Sequence, residues 1–213
     1  MSSIIFATDP TQALVATDTL AVDSNGTPLL FCTKATYIPH LRTIIAGTGL
    51  GAFANDWANH VNNEMVVTGV LNLDYHTPSG LRERWAKQQQ DPSFPPGCTT
   101  TVYQIGVGEE NGEIQSFAYR STNNFLSEPL AHGTRVKPEC TVPTDISLFE
   151  GLKPMMEEQR RNQQTKSANE RIYIGGQCIV MHLTKDGCNT WTAFNFDDYE
   201  EQLARVFAPF LAR

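Results

Sequence analysis

Three residues in the first quarter of the chain are of the types that acyl-transfer chemistry needs: Ser2, Asp18 and Lys34. Removal of Met1, which precedes the small Ser2, would leave a hydroxyl and a free α-amine on one residue. That amine has an ordinary pKa of about 7.7–8, suited to taking the hydroxyl proton directly or through one water. A buried Lys34 ammonium beside it would keep the amine neutral and favour the alkoxide, while Asp18 would keep the ammonium charged and in place. The reaction then needs a donor for the developing oxyanion. Backbone N–H groups of a glycine turn supply one, and Gly47-Thr48-Gly49 stands at the end of an apolar strand.

Turn chemistry brings these residues together. Residues 2–8 (SSIIFAT) and 13–22 (ALVATDTLAV) read as strands around Asp9-Pro10-Thr11. If Thr8 faces Ala13, paired residue numbers sum to about 21 and Ser3 lies opposite Asp18. A second hairpin turns at Asn25-Gly26 into residues 28–34 (PLLFCTK). Its pairs sum to about 51, which sets Thr33 opposite Asp18 and Lys34 one step away. With strands about 4.8 Å apart, Ser2, Asp18 and Lys34 come within reach of one another.

The remaining elements must hold this cluster. A strand over 42–46 (RTIIA) runs into Gly47–Gly51, and Phe53, Trp57, His60, Val61 and Met65 then fall at helical spacing. A second helix is expected from Thr77-Pro78 to the glutamines at 88–90, followed by a linker over 90–97. Strands over 100–107 and 113–121 join at Asn111-Gly112, and the proline-bearing stretch 122–145 reads as irregular. A helix over 147–164 opens on a Ser147/Glu150 capping box and carries Pro154. Strands over 171–184 and 188–196 turn at Asp186-Gly187, and a helix over 197–211 closes the pattern. Strands in hairpin pairs with intervening helices indicate an α+β chain. The expectation is a four-layer αββα sandwich, in one domain over 1–213, with two antiparallel sheets between helical layers.

Composition excludes other classes. The 213 residues are 40% hydrophobic and 18% charged, and the formal net charge of −7 is wrong for a nucleic-acid or anionic-membrane partner. No Lys or Arg precedes Lys34, so no secretory leader is expected, and no apolar run reaches bilayer length. Five cysteines without a C-x-x-C pair read as reduced thiols in a cytoplasmic protein. Cys32 and Cys178 lie in apolar strands and read as core residues. The five histidines show no metal-ligand spacing, so neither metal nor cofactor is expected.

The layer order and spacing resemble the N-terminal-nucleophile hydrolases, in particular the proteasome β-subunit and its bacterial two-component relative. In that family a threonine freed at the N-terminus is followed sixteen residues later by an aspartate, and sixteen after that by a lysine. Counting from Ser2 reaches Asp18 and Lys34 without a gap. The family's strand ending in glycines before the first helix matches residues 42–51, with one extra residue near Pro39-His40, and makes Gly49 the oxyanion-hole glycine. Residues 171–180 (RIYIGGQCIV) are similar to the family's late strand. The chain departs from the pattern in two places. Serine replaces threonine, and the family's second-half Ser-Gly is replaced by Leu130-Ala131-His132-Gly133-Thr134, where Thr134 is the one hydroxyl. The resemblance implies a hydrolase of peptide or small amide bonds and a homo-oligomer.

Two other readings stand beside it. One is a catalytically inactive assembly subunit on the same fold. The other is a dinucleotide-binding oxidoreductase, because Gly47-x-Gly49-x-x-Ala52 fits the G-x-G-x-x-G/A fingerprint between a strand and a helix, with Asp74 further on.

Overall fold

A computed structural model describes residues 2–23, 25–167 and 170–211. Alternating apolar residues build two five-stranded sheets in which each strand runs antiparallel to its neighbours. The first sheet has the order β10-β1-β2-β11-β12, from β1 (Ile4–Thr8), β2 (Gln12–Asp18), β10 (Gly133–Lys137), β11 (Gln177–Thr184) and β12 (Gly187–Asn195). The second has the order β5-β6-β7-β8-β9, from β5 (Ala35–Ile38), β6 (Thr43–Gly49), β7 (Thr100–Val107), β8 (Ile114–Arg120) and β9 (Glu128–Pro129). A separate ribbon pairs β3 (Leu20–Val22) with β4 (Pro28–Phe31). The helices are α1 (Phe53–Glu64), α2 (Val70–Gln88), α3 (Leu148–Gln164) and α4 (Tyr199–Leu211). None of the described helices is long and apolar enough to cross a membrane.

Strand alternation sorts the core into three clusters. Ile4, Phe6 and Val15 of the first sheet meet Ile44, Ala46, Tyr103 and Ile105 of the second. The intervening residues face the other way. Ile5, Ala16 and Val180 pack with Leu152, Met155 and Met156 of α3, and Ile45 and Val102 pack with Trp57, Val61, Leu73 and Leu81 of α1 and α2. Gly47 is required at the α1 contact: a Cβ there would lie 2.3 Å from the Ala54 Cβ.

The first hairpin has the expected register, with Thr8 paired to Ala13 and Ile4 to Thr17. The second also keeps its sum, pairing Leu20 with Phe31, and Cys32 N–H donates to the Thr19 carbonyl at 2.8 Å. Residues 13–22, however, are not one strand. The chain leaves the first sheet at Thr19, because the Thr19 and Leu20 N–H groups turn to the Gly175 carbonyl (3.3 and 3.2 Å). Thr33 is therefore not a ladder partner of Asp18; Cys178 holds that place.

Several boundaries differ from the expected ones for tertiary reasons. The strand expected over 28–34 stops at Phe31 and β5 follows as a separate strand. Helix α2 starts at Val70, with Pro78 inside it, because the Glu109 carboxylate accepts from Leu71 N–H (3.0 Å) and Asn72 N–H (2.7 Å). The stretch 122–145 is not wholly irregular: β10 takes its hydrogen bonds from β1. The late strand begins at Gln177, six residues after Arg171, and its hairpin pairs Leu183 with Cys188, one residue off the expected turn. Helix α3 opens on the expected capping box.

Candidate active site

Asp18 ends β2 with no exposure to solvent, and three donors converge on its carboxylate. Ser3 N–H donates to Oδ1 at 2.9 Å, while Lys34 Nζ and Gly175 N–H donate to Oδ2 at 2.8 and 3.2 Å. Lys34, 8% exposed, arrives from the segment between β4 and β5 and also donates to the Leu20 carbonyl at 2.7 Å. A buried ion pair of this kind repays its desolvation only when further hydrogen bonds complete it. Here they do. Of the three ammonium protons, two have acceptors among the described residues.

A cleft of about 520 Å3 opens over the pair, and its walls include Ser2, Lys34, Thr48 and Gly49. Ser2 is 9% exposed. No hydrogen bond among the described residues joins Ser2 to Lys34 or to Gly49. Removal of Met1, on which a free Ser2 amine depends, concerns a residue outside the described ones.

Gly49 supplies backbone and nothing else. Gly47 N–H donates to the Lys34 carbonyl at 3.3 Å, and Leu50 N–H donates to the Thr99 carbonyl at 3.2 Å. By strand alternation the Gly49 N–H therefore points to the β5 side, past the point where β5 has ended. The position also demands glycine. Its φ is +101°, and a Cβ would sit 2.1 Å from the Thr99 carbonyl oxygen.

Residues distant in sequence hold this arrangement. Gly175 reaches Asp18 because Gly176 adopts φ +76°, where a Cβ would meet Thr19 Oγ1 at 2.4 Å. Gly176 N–H donates to Gln202 Oε1 of α4 at 2.8 Å, and Gln202 Nε2 donates to Asp198, itself paired with Arg160. The Ser3 hydroxyl bonds Gln159 of α3, which donates to the Pro138 carbonyl. Sequence reasoning named none of Ser3, Leu20, Gln159, Gly175 or Gln202 as site residues. The Gly175-Gly176 pair was the available signal; a backbone carbonyl carries none.

The structure brings Ser2, Lys34 and Gly49 to one cleft, with Asp18 beneath Lys34. It does not bring Thr134 there. Thr134 is exposed on β10 opposite Ala7, five residues along β1 from Ser2 and so about 16 Å away at the strand rise. Nor does Gly47–Ala52 form a dinucleotide-binding turn, which lies in a parallel βαβ unit: both neighbours of β6 run antiparallel to it. The parallel context on which the oxidoreductase reading relied is therefore not formed around β6.

The thiols of Cys178 and Cys98 are poor nucleophiles. Burial, and then the Asp18 charge, push the Cys178 thiol up to about 12, and burial also raises the thiol of Cys98 at the cleft wall. No protein-family model matches the chain, and no curated protein matches it.

Proposed function

We propose that the protein is an N-terminal serine amidohydrolase of the proteasome-like N-terminal-nucleophile group, built as a four-layer αββα sandwich. One observation carries the reading: a lysine ammonium, anchored to a buried aspartate, opens onto a cleft shared with the second residue of the chain and a positive-φ glycine. The three core clusters support the layering, since the middle one joins both sheets and the outer two add helices.

With Met1 removed, the Ser2 α-amine takes the hydroxyl proton as Oγ attacks the carbonyl carbon of an amide. The free Lys34 proton favours the alkoxide, and the Gly49 N–H donates to the carbonyl oxygen as it gains charge. The C–N bond then breaks, the departing nitrogen takes the proton from the α-ammonium, and water hydrolyses the Ser2 ester by the same route. Substrates are peptides or small amides. The same resemblance implies a homo-oligomer.

An intact mass lower by one methionine, together with labelling of wild type but not Ser2→Ala by a β-lactone, is the expected result. A retained Met1 in material that still turns over amides would overturn it. The second reading, an inactive assembly subunit, draws on Thr134 lying far from Ser2. It predicts no label together with a stable oligomer by light scattering.

A further inference from the structure

Where β10 edges the first sheet and β8 and β9 edge the second, Arg120, Arg135 and Lys137 stand on neighbouring strands, and one carboxylate, that of Glu128, pairs with Arg120. Arg135 and Lys137 stand two residues apart on β10. They share the face turned toward the middle core, because their cross-strand partners Phe6 and Ile4 belong to it. Lys137 Nζ crosses to the second sheet and donates to Thr101 Oγ1 at 3.0 Å, and Arg120 is the cross-strand partner of that threonine.

Glu128 is the carboxylate, and it is already engaged: Arg120 Nε donates to it at 3.0 Å and Asn123 Nδ2 donates to it as well. Lys137 has no carboxylate partner among the described residues. Arg135 Nη2 donates to the Ala131 carbonyl at 3.1 Å, but its buried Nε has no partner there. Burial, and then the Arg120 charge, disfavour the Lys137 ammonium. Partly buried charges are ordinarily paired. Here, among the described residues, Arg135 and Lys137 have no carboxylate partner and only Arg120 does, in a chain whose net charge is −7.

We propose that Arg120, Arg135 and Lys137, with the Thr101 hydroxyl, form a binding site for an oxyanion, the carboxylate or phosphate group of a small ligand. An arginine fork and an ammonium suit such a group, and the orphaned Arg135 Nε–H and the free Lys137 protons are the donors it would use. Thr101 is also the cross-strand partner of Thr48, which lines the Ser2 cleft, so the anion site adjoins that cleft from between the sheets. Its existence does not depend on Ser2 being a nucleophile.

The test titrates the full-length protein with inorganic phosphate and, separately, with acetate, against chloride at matched ionic strength, following the melting temperature and the heat of binding. A saturable rise with phosphate, acetate or both is expected, and which of them acts identifies the group. Affinity should fall at least tenfold in Lys137→Met and in Arg135→Gln, with circular dichroism showing both variants folded. If one variant fails to fold, the other carries the comparison. No saturable response in wild type, an equal response to chloride, or unchanged affinity in a folded variant would overturn the proposal.

Discussion

Removing the Lys34 ammonium would leave the wholly buried Asp18 carboxylate with only the Ser3 and Gly175 N–H donors. Breaking a buried pair in this way costs about 3–5 kcal/mol. At about 2–4 °C per kcal/mol for a chain of this size, Lys34→Met should lower the melting temperature by on the order of 10 °C and, under the proposed function, abolish turnover. Adding Asp18→Asn removes the stranded charge and should recover part of that loss. A Lys34→Met variant melting with wild type would mean the pair contributes nothing to the fold. Gly49 and Gly51 provide a matched contrast in the same segment. Gly49→Ala forces a Cβ onto the Thr99 carbonyl at positive φ and should cost a few kcal/mol, whereas a Cβ at Gly51 meets nothing within 4 Å. Gly51→Ala should therefore be close to neutral in a urea melt.

Elements are held at their ends by groups from elsewhere in the chain. The first turn of α2 depends on Glu109, which is not in the helix. Burial pushes the Glu109 carboxyl up, but the Leu71 and Asn72 N–H donors outweigh that and leave it below its ordinary value. Glu109→Ala should cost about 1 kcal/mol, the worth of a helix cap, and should speed hydrogen exchange at the Leu71 and Asn72 amides while amides late in α2 stay protected. Unchanged exchange there would show that α2 needs no outside cap. Helix α3 carries its own cap, and Ser147→Ala should cost a similar amount.

Over the whole molecule, stability should peak near neutral pH and fall on both sides. Thr11 hydroxyl and N–H donors hold Asp9 down to about 2, and backbone donors lower Asp23 and Glu109. Carboxyl groups depressed in the folded state stabilise it above their unfolded values, and that contribution disappears as pH falls through the folded ones. On the alkaline side burial raises Cys178 to about 12, Cys140 to about 11, and the Tyr103 and Tyr119 phenols as well. From the ordinary thiol value of 9.0 upward the folded state keeps protons that the unfolded chain releases, so stability falls as pH rises toward 12. Lys137, lowered by burial, works in the opposite direction over part of that range. Melting temperature against pH checks the shape. Cys178→Ala should flatten the alkaline limb, and an unchanged limb would remove Cys178 as a cause.

The sequence by itself determined what short stretches of chain settle among themselves. Asp9-Pro10-Thr11 and Asn25-Gly26 set two registers, and the alternating apolar residues of β1, β2 and β7 chose their faces. Those local choices were enough to bring Ser2, Asp18 and Lys34 toward one place, because hairpin neighbours need only a short loop to meet. Only the tertiary structure decided the break at Thr19, the first turn of α2, the pairing of β10 with β1, and the seating of Asp18 on the Gly175 N–H 157 residues away. Each of these rests on a hydrogen-bond partner from a distant part of the chain. A backbone N–H or carbonyl is present at nearly every residue, so nothing in the local pattern marks which one the fold will bring into contact.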